Sequence, residues 1–246
     1  MKTYFSWPNG TLQATQRASA ESSETVQRLS PVQIVDDFVG SSLLSIAEFS
    51  TASTQNWKKS TIGAGAVAAK ADAVAGVVEC ALTSASAEQL ACLNRVNQRN
   101  LDVTKKLVTE FRFRFTVLPT SGTKFFIGLA ADHNKTAQSI TELIGFSADG
   151  SALLYADADD ATTDSQVTTA TTLVLNTWYI GRIECYDVTS LKYYLNGTQV
   201  ASGSTIPFAA TGANAVLQEY ASLYKASGTS VGTVEVDYFK TFFERA

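Results

Sequence analysis

Charged side chains are scarce in this chain, and so are the residues on which metal and redox chemistry depend. Only 17% of the 246 residues are charged and the net charge is −4, so we expect no clustered basic surface and no nucleic-acid partner. A single histidine and three cysteines without Cys-x-x-Cys spacing argue against a zinc site. We expect Cys80, Cys92 and Cys185 to be reduced core residues, because each lies in an apolar β pattern.

Long apolar segments are also missing. No run approaches the ~20 apolar residues that span a bilayer, and Met1–Gly10 lacks the apolar stretch of a secretory signal peptide. The sequence therefore predicts no membrane partner, no signal peptide and synthesis in the cytoplasm.

The chain is instead rich in β patterns from Val32 onward, and 45% of its residues are apolar, enough for a large core. In Thr109–Thr116, Phe111, Phe113 and Phe115 alternate with charged residues, the period of a strand buried on one face. No segment has the pattern of an amphipathic helix. We therefore predict an all-β sandwich or jelly roll over residues 33–246.

Two shorter signals in the last third of the chain support this prediction. Asn196-Gly197 stands between strand-forming residues and predicts a hairpin with a type I′ turn, which needs positive φ at both central positions. In the closing strand, alternation predicts that Val234, Val236 and Tyr238 face the core.

Residues 1–32 differ from the rest in composition. Thr11–Ser30 is polar and cannot build a core, so these residues form either a flexible terminus or an arm that becomes ordered on a partner. Tyr4, Phe5, Trp7 and Pro8 near its start are candidate docking residues, because aromatic side chains are enriched at interface cores.

The sequence "NTWYIGRIECYD…LKYYLNGTQVASG", the ending "VEVDYFKTFF" and the opening "DDFVG" resemble the laminin-G/concanavalin-A-like lectin and glucanase superfamily. The resemblance covers about residues 33–246 and implies a concanavalin-like jelly roll preceded by an extended N-terminal arm. Its members include lectins, hydrolases and structural modules, so the resemblance implies a fold and not one function.

A narrower resemblance is carried by "FRFRFTVLPTSGTKFFIGLAADHN" and "NAVLQEYASLYKASGTSVGTVEVDYFK", which are similar to segments of virion proteins of tailed bacteriophages. It implies a non-enzymatic capsid decoration protein, made in the host cytoplasm and located on the capsid surface, with the major capsid protein or other virion proteins as partners. Low charge and abundant Ser, Thr and Ala suit close packing of like subunits, so we expect a homo-oligomer. The alternatives are a carbohydrate-binding module or host-recognition adhesin, and a tail or baseplate component.

The glucanases of the superfamily use carboxylates spaced Glu-x-Asp-x-x-Glu on one strand, so that two of them face one cleft. Glu235 and Asp237 are the nearest pair, and no second glutamate follows three residues later. We therefore predict no enzymatic activity and no catalytic residue.

An acidic cluster of Asp157, Asp159, Asp160 and Asp164 follows Tyr155. It lacks the glycine and the bidentate glutamate of an EF-hand loop, so a solvated acidic loop is favoured over a low-affinity Ca²⁺ site. We predict no cofactor, with Ca²⁺ as the alternative.

Four residues are candidates for a ligand-binding face. Trp57 precedes two lysines and is the better candidate for an exposed ring that stacks on a sugar, whereas Trp178 is predicted to lie in the core. His133 lies in an Asp-His-Asn segment that suits either acid/base chemistry or a turn. Arg112 and Arg114 share one sheet face, as a ligand surface, a subunit contact or a solvated face.

Overall fold

The computed structural model describes residues 3–6, 13–16, 32–38, 57–70 and 76–244, with the backbone alone for residues 3–6, 13–16, 32 and 33. The strands are β1 Thr3–Ser6, β2 Gln13–Gln16, β3 Val32–Asp36, β4 Lys58–Ile62, β5 Ala66–Ala69, β6 Val78–Leu82, β7 Gln89–Asn94, β8 Leu101–Asp102, β9 Leu107–Val117, β10 Lys124–Ala130, β11 Glu142–Asp149, β12 Leu153–Asp160, β13 Asp164–Thr172, β14 Tyr179–Cys185, β15 Lys192–Leu195, β16 Thr198–Val200, β17 Val216–Lys225 and β18 Gly232–Phe243.

Two eight-stranded sheets lie in the compact unit Gln33–Phe243. Sheet A has the order β16-β15-β14-β9-β18-β6-β5, and β3 also pairs with β18. Sheet B has the order β13-β12-β11-β10-β17-β7-β4, and β8 also pairs with β17. The pairings along both paths are antiparallel, so the predicted all-β sandwich is confirmed. Strands β1 and β2 form a separate antiparallel pair in another unit.

Helical structure in the described residues is limited to two 3-10 turns, Ala137–Ser139 and Gly212–Ala215. No helix there is long and apolar enough to cross a membrane.

The core lies between the sheets and is built on the alternation of β9. Its Phe111, Phe113 and Phe115 are fully buried, and the ring of Phe115 packs edge-on against Phe125 of β10 with ring centroids 4.8 Å apart. Phe111 meets Phe146 of sheet B in the same way at 6.0 Å. These contacts join the two sheets, and each buried aromatic ring contributes about 2 kcal/mol or more of hydrophobic stabilisation.

The predicted hairpin turn between β15 and β16 is confirmed. Asn196 has φ 51° and Gly197 has φ 80°, the positive angles that a type I′ turn requires at both central positions. The Asn196 side-chain oxygen also accepts a hydrogen bond from the Ile180 N–H at 2.8 Å, which ties the turn to β14.

The predicted inward orientation of Tyr238 is wrong because the closing strand contains a β-bulge. The register against β9 shifts between Val236 and Tyr238, so Asp237 is an extra residue in the ladder. Tyr238 therefore lies on the outer face, where its hydroxyl donates to Glu110 at 2.9 Å, and Phe239 takes the buried position after it.

A polar network crosses the sandwich interior near the end of β7. The Nε and Nη2 atoms of Arg95 each lie 2.7 Å from Oε2 of Glu219, a residue of β17 that is almost completely buried. Glu219 Oε1 accepts a hydrogen bond from Thr241 of β18 at 2.9 Å, so the ion pair links sheet B to sheet A.

At one end of β17, the ammonium group of the fully buried Lys225 is surrounded by backbone carbonyl oxygens. Its Nζ donates to the carbonyls of Thr83 at 2.5 Å and Ala85 at 2.7 Å in the β6–β7 connection, and to those of Gly228 at 2.9 Å and Ser230 at 2.8 Å in the β17–β18 turn. One side chain thus holds together two connections, each of which runs between sheet A and sheet B.

All three cysteines are free and buried, as predicted. Burial raises the pKa of the Cys92 thiol to about 12, so it is protonated and unreactive at neutral pH.

Candidate functional site

The outer face of sheet A carries the carboxylates nearest to the glucanase spacing, and both are bound to basic side chains. Glu235 is fully buried and bonded to Arg114 Nε at 2.6 Å and to the ammonium group of Lys70. Asp237 lies 2.6 Å from Arg112 Nη1. A carboxylate fixed in this way is not positioned as one of two carboxyl groups facing each other across a cleft.

Trp178 lies on this outer face and not in the core, which corrects the prediction. The guanidinium carbons of Arg112 and Arg114 lie 4.4 Å and 4.5 Å from its ring centroid. The next residue, Tyr179, packs on Phe113 inside the sandwich, so strand alternation turns Trp178 outward. The three side chains form what we call the Trp178 clamp.

Trp57 is fully buried, which removes it as a candidate for an exposed ligand-binding residue. Its ring packs against Phe38 and Phe239, with ring centroids 5.2 Å and 5.4 Å away. Its Nε1–H donates to Asp36 at 2.6 Å, and the guanidinium carbon of Arg95 lies 4.2 Å from the ring centroid. Trp57 therefore belongs to the interior and has no face available to a sugar.

His133 lies over the outer side of sheet B, in a hydrogen-bonded loop. Its Nδ1 is 2.8 Å from the Tyr220 hydroxyl, and its backbone N–H donates to Asn97 at 2.8 Å. Burial, with a smaller contribution from the charge of Lys58, lowers the pKa of His133 to about 4. The imidazole is therefore neutral at pH 7, and its role in binding stays a prediction.

The four clustered aspartates do not share one location. Asp160 lies at the β12–β13 turn, where it accepts hydrogen bonds from the N–H groups of Thr163 and Ala209, both at 2.7 Å. Asp157, Asp159 and Asp164 lie instead beside a pocket on the outer face of sheet B. In the described parts of the chain, no group of three or more His, Cys, Asp or Glu side chains is placed to hold a metal ion.

This pocket has a volume of about 50 Å³ and combines apolar and polar walls. It is lined by Phe126, Ala137, Gln138, Leu143, Asp157, Asp159, Asp164 and Gln166. The ring of Phe126 lies over Gly145, where an added Cβ would be 2.5 Å from the ring. Phe126 and Gln166 were not predicted from the sequence. The signal for the close approach is Gly145, a glycine in an apolar strand that lies opposite Gly128.

The electrostatics of the pocket are dominated by Asp157. Burial raises the pKa of this carboxyl to about 6, and Asp164 and Asp159 add to the rise. Hydrogen bonds from Ser147 and Gln166 oppose it. The carboxylate is thus an acceptor for hydroxyl or amine donors above about pH 6 and is protonated below it.

Only two of the four predicted docking residues of the N-terminal arm lie within the described residues. Tyr4 and Phe5 lie in β1, whose backbone pairs with β2, while Trp7 and Pro8 lie outside the described residues.

Residues 74–237, which contain most of both sheets, match the C-terminal domain of SO2946-like proteins. The chain belongs to the SO2946-like family. Among solved structures, the SO2946 protein of Shewanella oneidensis MR-1, described as a protein of unknown function, superposes with a TM-score of 0.60 at 14% identity, covering 94% of this chain and 99% of that one. The family match therefore extends to a structure of nearly the same length.

Two further structures share the fold of this SO2946-like chain. The carbohydrate recognition domain of Emp47p has a TM-score of 0.53 at 10% identity, covering 93% of this chain and 100% of that one. Endo-β-1,4-glucuronan lyase from the fungus Trichoderma reesei has a TM-score of 0.52 at 12% identity, covering 75% of this chain and 90% of that one. Likenesses at these identities show the concanavalin-like jelly roll alone. A comparison with curated protein sequences gives no match.

Proposed function

We propose that this SO2946-like protein is a non-enzymatic component of a bacteriophage virion that binds the capsid surface and stabilises it. The sequence resemblance to tailed-phage virion proteins supports the proposal. So does the ion pairing of Glu235 and Asp237, because each carboxylate is fixed by a basic side chain instead of facing a cleft.

The observation that carries the proposal is the Trp178 clamp. Tryptophan and arginine are the residues most enriched at energetically dominant positions of protein interfaces. The side chains of Arg112 and Arg114 are 35% and 27% exposed, so N–H donors remain accessible for carboxylate or carbonyl acceptors of a capsid subunit. Exposed Ile180, two residues after Trp178 and opposite Arg112, adds apolar area beside the clamp.

The physical mechanism is avidity. A decoration protein is present in many copies on a repeating surface, so each contact can be modest while the shell as a whole is strengthened. The N-terminal arm would add a second point of attachment to the same subunit or its neighbour.

Trp178→Ala combined with Ile180→Ser is expected to weaken binding to purified capsids about 100-fold, the scale of losing one interface hot spot. Cosedimentation of the purified protein with undecorated capsids measures this. Tyr186→Ala is the matched control, because Tyr186 is an aromatic residue 62% exposed after β14, and it should bind normally.

Deletion of residues 1–30 in the same assay separates the two attachments. A truncated protein that binds as tightly as the full chain would remove the arm from the proposal. Normal binding by the Trp178/Ile180 variant would remove the clamp, and failure of both variants to change binding would refute capsid docking through these surfaces.

A second candidate function, binding of a carbohydrate, is favoured by the pocket on sheet B. Its carboxylates and the amide of Gln166 surround the apolar floor of Phe126, a combination that suits hydroxyl groups on an apolar ring. The small volume admits part of one sugar residue, not a buried oligosaccharide.

If this candidate is correct, Asp159→Ala should reduce glycan binding on an array by about 10-fold, the cost of one charged hydrogen bond. Asp149→Ala, a change to an exposed aspartate in β11, is the control. Because the pKa of Asp157 is raised to about 6, binding should weaken as the pH falls below that value and the acceptor becomes protonated. Binding that is insensitive to both changes would exclude the pocket.

A further inference from the structure

The free edges of the two sheets differ in how they are protected. Sheet A ends in β16 and β5, which are three and four residues long. Sheet B ends on one side in β4, which begins with two lysines. Its other edge is β13, nine residues with neither lysine nor proline. Short strands, charged side chains (lysine above all), prolines and bulges are the usual means of preventing edge-to-edge pairing. Strand β13 has no lysine or proline, its single charge is Asp164 at its start, and its bulge comes only after Thr168.

The backbone of β13 offers a regular row of hydrogen-bonding groups to solvent. The N–H of Asp160 donates to the carbonyl of Thr163 across the turn, so these two residues form a hydrogen-bonded pair. Antiparallel pairs alternate between bonded and non-bonded types. Counting along the register with β12, the N–H and C=O groups of Asp164, Gln166 and Thr168 point away from β12, toward the free edge.

No strand of the described residues other than β12 pairs with β13. Asp164, Gln166 and Thr168 are all exposed, whereas Ser165 and Val167 between them are half-buried. The regular ladder ends at the shift in register beyond Thr168, where Ala170 has a positive φ of 57°. Five residues, Asp164 to Thr168, are thus available for strand pairing.

We propose that a second copy of this chain pairs with this edge, β13 against β13, antiparallel about a two-fold axis through Gln166. In this register Gln166 faces its own copy, and Asp164 faces Thr168 in both directions. The three residues with outward backbone groups then coincide with the hydrogen-bonded positions, which gives six N–H···O bonds across the axis. This pairing does not depend on binding to a capsid.

A second copy fits the edge better than an unrelated strand. A two-fold axis places the same residues on both sides, so the outward N–H and C=O groups of β13 in one copy pair with the same groups in the other. The only charge in the five residues, Asp164, falls opposite a threonine and not opposite another aspartate, so the self-pairing contains no like-charge contact. Gln and Thr side chains across the axis can exchange further hydrogen bonds.

The dimer would consist of a continuous sheet made from two copies of sheet B. Because the two-fold axis is perpendicular to the sheet, the outer faces of the two copies of sheet B lie on the same side of the dimer. Asp164 and Gln166 also line the pocket, so the pairing would place two pockets next to each other on one surface. A ligand with repeating units could then reach both.

Sedimentation equilibrium of the full-length protein tests the proposal. The wild type is expected to dimerise reversibly, with a Kd of about 10–100 μM for so short an interface. Gln166→Lys places two lysines opposite each other at the axis and should raise Kd at least 10-fold. Gln199→Lys on the edge strand β16 is the matched control and should leave Kd unchanged.

Gln166→Pro provides a second variant, since it removes an N–H that points to solvent and is tolerated at a sheet edge. It too should be monomeric. Mixing Gln166→Lys with Gln166→Glu should restore association, because opposite charges then meet at the axis. A wild type that stays monomeric at ~500 μM, or a dimer that persists in Gln166→Pro, overturns the proposal. Wild-type dimers that Gln199→Lys disrupts instead would also overturn it, since they would use another edge.

Discussion

Lys225→Met is expected to lower the free energy of unfolding by about 4 kcal/mol, equivalent to about 12 °C in Tm for a chain of this length. The four carbonyl oxygens around Nζ come from the β6–β7 connection and the β17–β18 turn. Methionine fills nearly the same volume, so the loss would not arise from a cavity. It would arise because the carbonyl oxygens lose a charged donor whose hydrogen bonds contribute about 1.5–3 kcal/mol each, and water returns part of this because the residues bearing the carbonyls are largely exposed.

Denaturant unfolding followed by circular dichroism measures the change. Lys124→Met is the matched control, because Lys124 lies opposite Tyr224 on the neighbouring strand, is 34% exposed and makes only a 3.5 Å surface pair with Asp149. Its loss should cost less than about 0.5 kcal/mol. Equal stabilities of the two variants would show that the carbonyl cage contributes nothing beyond an ordinary surface lysine.

Glu219→Ala is expected to cost about 3 kcal/mol, because it leaves the guanidinium of Arg95 inside the sandwich with Asp36 as its remaining carboxylate, at 3.9 Å. Burial raises the pKa of Glu219 although the charge of Arg95 opposes the rise. The unfavourable effect of desolvation on the Glu219 carboxylate is therefore larger than the favourable effect of its ion pair with Arg95.

Removing both charges together is expected to leave the stability nearly unchanged. Arg95→Met with Glu219→Leu should unfold within about 1 kcal/mol of the wild type, since apolar replacements of buried ion pairs are often neutral or stabilising. A double variant as unstable as Glu219→Ala would mean that the loss comes from what both variants lack, the Glu219 side chain and its hydrogen bond with Thr241, and not from the unpaired charge.

The architecture could be predicted from the sequence because its signals are local. The alternation of Phe111, Phe113 and Phe115 fixes which face of β9 is buried, and Asn196-Gly197 fixes a turn through its own φ angles. Each depends on neighbours within a few residues.

The positions of the two tryptophans could not be predicted in this way. Trp57 has lysines beside it, yet it packs on Phe38 and Phe239, which are far away in the sequence. Trp178 opens an apolar run, yet its side is set by the inward packing of Tyr179 against β9. Contacts between distant segments decide burial at both positions.

The candidate site was predicted only in part for the same reason. The acidic residues of β12 and β13 were recognised as a cluster, but a β-strand and its turn send Asp160 to one side and Asp157 to the other. Phe126 joins them from β10, and no local pattern connects it with the aspartates.

The bulge at Asp237 has a consequence for how the gene can vary. Deleting that one residue would leave Tyr238 opposite Arg112 and Phe239 opposite Phe111, so the ladder would become regular and no side chain would change face. A one-residue deletion in the regular part of the strand would instead exchange the faces of all residues after it. Asp237 is therefore a position at which β18 can lose a residue with the loss of one ion pair, that with Arg112.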